Sequence, residues 1–332
     1  MQVQSVVPWL KDYVEPVNSA LEDLNLRSGS TTLENAAADA LSAGGKRVRG
    51  TLALLWCETY SGKYRQAIPL AVAYELAHAS ALVQDDILDK SGMRRGKESV
   101  VAKYGLSTAI LASDLLLFNV PKMVAMYENL GSKRLAKVFD LVGEACRATT
   151  WGEFVDMEMA RGGEETEKAY EEMIRLKTSS LLSAPCASGA LVGGASDQES
   201  DLAGRFGEEL GLAYQIQDDT LDLVGDESTL GKPVFTDLRG GKKGLLLIHC
   251  LSRCSPEDRK FVLSLLNRSG TYSPEEAGRL RRLFEKLGSL DYVHEKVMRH
   301  TTAARGVLGS VSEGQAKSRL IELTDYLAGR YY

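Results

Sequence analysis

Two hexapeptides of almost the same sequence, QDDILD at Gln84–Asp89 and QDDTLD at Gln217–Asp222, limit what this chain can fold into. Each carries Asp-Asp-x-x-Asp among apolar residues, with HASALV before the first and GLAYQI before the second. On a helix, residues four apart share a face, so Asp85 goes with Asp89 and Asp218 with Asp222. Stacked carboxylates repel unless a cation lies between them. Hard oxygen donors presented in ones and twos suit Mg²⁺, which keeps several waters and completes its shell with substrate phosphates. A single such cluster is more often a solvated helix face. A solvated face would not be flanked by these apolar turns, because carboxylates are not left in apolar surroundings without a partner. The two clusters, 133 residues apart, are therefore expected to face each other and clamp one diphosphate.

The rest of the chain reads as helix. Only eight prolines occur, and from Pro69 to Pro121 and from Pro121 to Pro185 apolar residues recur at three- and four-residue spacing. Alternation of β-branched residues is scarce. The pattern predicts thirteen helices between residues 8 and 329, among them 65–90, 99–130, 165–183, 199–224 and 240–252. Ser255-Pro256 and Ser273-Pro274 are start signals, a cap followed by proline at the first helical position. Glycine pairs at 44–45, 162–163, 193–194 and 240–241 mark breaks, none of them a long linker, so one domain over 1–332 is expected.

With 44% hydrophobic and 26% charged residues, 332 residues suffice for a substantial core. The net charge of −5 argues against nucleic acid as the main partner. No apolar run is read as a membrane span, and the N-terminus has no basic segment leading into an apolar one, so no signal peptide is expected. Cys57, Cys146, Cys186, Cys250 and Cys254 are scattered, without a Cys-x-x-Cys pair. They read as reduced thiols of a cytoplasmic protein.

A metal clamp for a diphosphate needs cations for the remaining phosphate oxygens. Gly44-Gly45-Lys46-Arg47-Val48-Arg49 opens a helix, where backbone can approach a phosphate closely. Arg94-Arg95-Gly96-Lys97 follows the first acidic motif, and arginine forks suit bidentate phosphate binding. Lys177, Lys232 and the pair Lys242-Lys243 complete the set. Singly, each is more often a surface charge. Trailing both acidic clusters, they answer them. No P-loop is present, which disfavours phosphoryl transfer from ATP.

On these motifs the chain resembles the trans-isoprenyl diphosphate synthases. The resemblance implies an all-α fold, a single large helical bundle with a central substrate cavity, assembled as a homodimer. GGKRVR is similar to the family's Gly-Gly-Lys-x-x-Arg segment, implying that Lys46 and Arg49 bind isopentenyl diphosphate, joined by His78 and Arg95. QDDILDKSGMRRGK resembles the first aspartate-rich motif, implying metal on Asp85 and Asp89 and allylic diphosphate on Arg94. KTSSL implies Lys177 on the allylic diphosphate and Thr178 in the cation pocket. YQIQDDTLD implies Gln215 near the reacting carbons and metal on Asp218. Asp86, Asp219 and Asp222 complete the candidate metal ligands, for three Mg²⁺ ions per site. GKPVFTDLRGGK supplies Lys232 and Lys242. Four positions depart from the family pattern: Gln84 for His, Glu153 for Gln, Tyr214 for Phe and Gly244 for Thr. They bear on substrate positioning, since no metal ligand or diphosphate cation is lost.

The implied reaction is head-to-tail (1′-4) condensation of isopentenyl diphosphate with an allylic diphosphate, giving an all-trans prenyl diphosphate. Ala73, Ala77 and Ser80 recur on one face of the helix that carries Asp85, and with Ala81 they leave room for a growing tail. Tyr74, roughly 16 Å below Asp85 at ~1.5 Å per residue, is the expected floor. A product longer than C15 is expected, C20 to C25 first, with longer chains left open. A class I terpene cyclase would carry a different second metal motif and consume an allylic diphosphate alone. A non-catalytic prenyltransferase subunit would have lost aspartates, and all six are present.

Overall fold

The computed structural model describes residues 7–24, 26, 31–42, 44–163, 165–225, 234–268 and 270–329. Nearly all regular structure among them is α-helix. In chain order come α1 (Lys11–Glu22), α2 (Thr31–Ser42), α3 (Val48–Ser61), α4 (Ile68–Leu88), β1 (Met93–Arg94), β2 (Lys97–Glu98), α5 (Val100–Tyr104), α6 (Leu106–Ala125), α7 (Ser132–Ala160) and α8 (Glu167–Ile174). A π-helical turn (Arg175–Ser179) leads into α9 (Ser180–Gly193). Then follow α10 (Asp197–Val224), α11 (Thr236–Arg239), α12 (Leu245–Arg253), α13 (Pro256–Leu265), α14 (Pro274–Lys286), α15 (Ser289–Leu308) and α16 (Gln315–Ala328). β1 and β2 form an antiparallel hairpin in which Met93 pairs with Glu98 and Arg94 with Lys97.

The helices start where side chains satisfy their free N–H groups. Ser196 with Glu199 and Ser273 with Glu276 form capping boxes at α10 and α14, and Ser255 caps α13. Two buried apolar clusters meet along α10. One gathers α1 to α4, α6, α7, α9, the first half of α10 and α16. The other gathers α8, the second half of α10 and α12 to α15. Helix α4 packs against α6, and α9 lies between α3 and α10.

The predicted 99–130 helix is two helices, divided at Gly105, whose φ of +81° interrupts the helical path. The predicted 165–183 helix continues through the π turn to Gly193. Pro185 lies inside α9, and the helix runs on through it. The predicted 240–252 helix begins at Leu245, after a polar loop. The hairpin and α11 were not anticipated. Helix α6 is, by length and composition, apolar enough to cross a membrane, which the sequence reading had not allowed for. Ala109, Ala112, Leu116 and Val120 bury one of its faces in the bundle.

Candidate active site

Asp85 sits in the last turn of α4, and Asp89 caps its end. Both face a pair of lysines. Lys177 Nζ, on the π turn, lies 3.6 Å from Asp85 Oδ1, and Lys242 Nζ, before α12, lies 2.7 Å from Asp89 Oδ2. A third carboxylate joins them from α7. Asp156 Oδ2 is 2.7 Å from Lys177 Nζ and 3.8 Å from Lys242 Nζ, and Glu153 Oε2 is 2.8 Å from Lys177. Burial works to raise the Asp85 pKa, but Lys177, Lys242 and Arg94 outweigh it and hold the carboxyl below its ordinary value. Burial works to lower the Lys177 pKa, and Asp156, Glu153 and Asp85 carry it above the ordinary lysine value. Both groups are thus ionised at neutral pH.

The close approach behind this arrangement depends on Gly152. A Cβ there would lie 2.2 Å from the Lys177 backbone nitrogen, so α7 can cross the π turn only with glycine at the crossing. The π turn widens the helix locally and turns Lys177 and Thr178 toward the aspartates.

The other aspartates do different work. Asp86 is 3% exposed and takes Arg94, with Nη2 at 2.6 Å and Nε at 2.9 Å. The same guanidinium reaches Asp85 Oδ2 at 2.6 Å. Asp219 accepts from Gln215 Nε2 and from the Tyr170 hydroxyl, each at 2.6 Å. Burial pushes its carboxyl up to about 7, against these two donors. Asp222 is buried and caps α11. It accepts from Thr236 N at 3.2 Å, Thr236 Oγ1 at 2.5 Å and Asp237 N at 3.1 Å. The metal role expected for Asp86, Asp219 and Asp222 therefore competes with hydrogen bonds already made. Asp85 and Asp89 instead face the lysines, and Asp218 is half-buried. Among the described residues no three His, Cys, Asp or Glu side chains gather closely enough to enclose an ion by themselves. Hard carboxylate oxygens in ones and twos, with ammonium groups beside them, fit an ion that takes the rest of its shell from phosphate and water.

A second basic group lies across α4. Gly45 has φ +141°, and a Cβ there would lie 2.6 Å from Arg95 Nη1, so the glycine loop lies directly against that guanidinium. Arg49 is half-buried, and its buried Nε has no hydrogen-bond partner among the described residues. Burial, then the charges of Arg49, Arg95, Arg47 and Arg94, drive the His78 pKa well below its ordinary value. His78 is therefore a neutral imidazole. Lys46 Nζ lies 4.8 Å from the centre of the Tyr326 ring on α16. Lys232 lies outside the described residues.

Below the first motif, Tyr74 is fully buried and its hydroxyl is 2.9 Å from Ser188 Oγ on α9. Ser80 Oγ is 2.9 Å from Ser113 Oγ on α6. Ala77 is buried and Ala81 half-buried. A cavity of about 400 Å³ opens on the α2 side of α4, beside Asp86, Arg94 and Lys97.

The model of the polyprenyl synthetase family matches residues 30–286. The chain belongs to the polyprenyl synthetase family. Among its relatives, the geranylgeranyl diphosphate synthase of Sulfolobus acidocaldarius is 34% identical over 95% of this chain and 97% of that one. The geranylfarnesyl diphosphate synthase of Aeropyrum pernix is 33% identical over 90% and 94%. The crystal structure of geranylgeranyl pyrophosphate synthetase from Pyrococcus horikoshii superposes with a TM-score of 0.92 at 30% identity, covering 100% of both chains.

Several residues of this polyprenyl synthetase site escaped the sequence reading. Asp156 bridges both lysines, and its only signal was its place three residues after Glu153. Glu75 accepts from Gly50 N at 3.0 Å and pairs with Arg47 at 3.4 Å. It is the lone charge in IPLAVAYELAHASALV, which could have marked it. Arg47 is a strut: Nε donates to Asn18 Oδ1 and Nη2 to the Leu41 carbonyl, each at 2.8 Å.

Proposed function

We propose that this polyprenyl synthetase is a trans-prenyltransferase that condenses isopentenyl diphosphate with an allylic diphosphate, giving an all-trans prenyl diphosphate of C20 to C25. The observation that carries this reading is the interleaving of carboxylates and ammonium groups. Lys177 and Lys242 lie between the aspartates of α4 and Asp156 of α7. Such a lattice opens to take a diphosphate with its cations. The names of the relatives support the product range.

The chemistry needs a divalent metal, as the family does. Asp85, Asp89 and Asp218 are the residues that would hold Mg²⁺, three ions per site. When bound, the ions neutralise the charge that grows on the leaving diphosphate. Arg94, Lys177 and Lys242 share that task as fixed cations aimed at the same oxygens. The allylic C–O bond breaks and its electron pair leaves with the diphosphate. Lys46, Arg49, His78 and Arg95 hold isopentenyl diphosphate so that its double bond supplies the pair for the new C–C bond. The proton lost to restore a double bond goes to the departed diphosphate. The orphaned Nε of half-buried Arg49 is suited to a phosphate oxygen. Lys232 joins the allylic subsite.

The tail runs along Ala77, Ser80 and Ala81 toward Tyr74. The whole chain acts as one domain in the cytoplasm, as a homodimer. Ile110, Leu111 and Phe118 on α6, with Trp151 and Phe154 on α7, leave large apolar surface exposed, which a second copy would cover.

The test is direct. Purified protein, Mg²⁺ and isopentenyl diphosphate are supplied with dimethylallyl, geranyl or farnesyl diphosphate, and the products are sized. C20 to C25 prenyl diphosphates are expected. Consumption of an allylic diphosphate without isopentenyl diphosphate would make the chain a cyclase and refute this reading.

A further inference from the structure

Thr178, Gln215, Asp219 and Tyr170 form one hydrogen-bonded line. Thr178 Oγ1 lies 2.8 Å from Gln215 Oε1, and Gln215 Nε2 lies 2.6 Å from Asp219 Oδ1. The Tyr170 hydroxyl lies 2.6 Å from Asp219 Oδ2. The four come from three places in the fold: Thr178 from the π turn, Gln215 and Asp219 from α10, and Tyr170 from α8. Tyr170 has no surface exposed and stands behind the site, away from any substrate position named above.

We propose that Tyr170 is a positioning residue for the condensation: through Asp219 it fixes the Gln215 amide and so turns the lone pairs of Thr178 toward the carbon that loses its diphosphate. The proposal rests on Thr178 and Gln215 standing at the reacting carbons.

The direction of the line follows from donor and acceptor chemistry. Gln215 presents its NH₂ to Asp219, whose Oδ1 accepts from Nε2. The amide oxygen then faces Thr178. An amide oxygen only accepts, so Thr178 spends its single O–H on it. What remains on Thr178 Oγ1 is lone-pair density, the charge sign that an allylic cation requires. Without Tyr170, Asp219 is held through one oxygen and can rotate. The Gln215 amide is then free to flip, and Thr178 can turn its O–H, the wrong end of the dipole, toward the cation. Tyr170 thus acts on the rate without touching substrate.

The experiment is a double-mutant cycle of Tyr170→Phe and Thr178→Val, assayed with Mg²⁺. Tyr170→Phe should lower kcat about tenfold and leave KM for both diphosphates within about twofold, as expected for losing one hydrogen bond to a charged group. In the Thr178→Val background, Tyr170→Phe should have no further effect. A Tyr170→Phe variant with unchanged kcat, a raised KM, or the same tenfold loss in both backgrounds would overturn the proposal. A Thr178→Val variant with normal kcat would refute the placement of Thr178 at the reacting carbon, and the proposal with it. Should Tyr170→Phe not fold, side-chain amide NMR of Gln215 in the unaltered protein decides. A slowly exchanging, hindered amide is expected, and a freely rotating one would overturn the proposal.

Discussion

Helices α4 and α10 end in nearly the same hexapeptide and use it differently. On α4 the first and third aspartates face Lys177 and Lys242, and the second is turned back onto Arg94. On α10 the second aspartate is held by Gln215 and Tyr170, and the third caps α11. The difference continues down both helices. Seven residues before the first aspartate stands His78 on α4 and Gly211 on α10. Eleven before it stand Tyr74 and Gly207. A Cβ at Gly207 would lie 2.3 Å from the Leu182 carbonyl oxygen, and one at Gly211 would lie 2.6 Å from Ser179 Cα. Helix α10 is drawn against the backbone of α9 and the π turn, and so fixes Lys177 and Thr178. Helix α4 meets side chains at the corresponding places, Tyr74 on Ser188 and Ser80 on Ser113. One motif meets the lysines and the other is chiefly part of the frame.

The largest effect expected from this difference separates Asp85 from Asp222. Asp85→Asn should lower kcat by about 10²–10³-fold, on the scale of removing a preorganised group from a transition state, with an unchanged melting temperature. Asp222→Ala should act on the fold instead. It removes a helix cap worth roughly 1–2 kcal/mol, which lowers Tm by several degrees while kcat well below Tm stays within about tenfold. Steady-state kinetics and thermal melts on both variants check this. If Asp222→Ala matched Asp85→Asn in lost turnover at unchanged Tm, the two motifs would be equivalent after all.

A smaller effect concerns the small residues on the two helices. Gly207→Ala should destabilise the protein by roughly 1–3 kcal/mol, because the new methyl meets backbone that cannot move aside. Ser80 on α4 meets the Ser113 side chain. Ser80→Phe should therefore fold, remain active and shorten the product, and Tyr74→Ala should lengthen it. Melts and product sizing read both. A Ser80→Phe variant as destabilised as Gly207→Ala, or with an unaltered product, would mean that the α4 stripe is packing too.

Helical periodicity and the paired motifs made the bundle legible, as did the basic loops that trail them. What escaped was long-range. Asp156 and Glu75 are single acidic residues whose partners, Lys177, Lys242, Arg47 and Gly50, lie on other elements. The capping role of Asp222 depends on Thr236 and Asp237, fourteen and fifteen residues on, which no i, i+4 argument reaches. The same argument predicted a shared face for Asp218 and Asp222, and it cannot know that a loop returns to cover one of them. Pro185 misled in the opposite sense, since it reads as a helix end and the helix runs on through it to Gly193.

The smallest effect is a pH dependence that α4 should show and α10 should not, since Gly211 stands where α4 has His78. Burial and four arginines hold the folded His78 pKa well below its ordinary value. In the unfolded chain the same imidazole takes a proton near pH 6.5. Below that pH the unfolded state binds more protons than the folded one, so stability falls as pH falls. The contribution is fully present above about pH 6.5 and is lost from there down toward the folded pKa, at up to about 1.4 kcal/mol per pH unit. His78→Gln removes the titrating group and keeps an amide that can still hydrogen-bond a phosphate. Urea denaturation at pH 7.5 and 5.5 should show wild-type protein losing more stability than the variant over that interval. Equal losses would mean that His78 is protonated in the folded protein despite its arginines, and that the basic face of α4 is more open to water than its packing indicates.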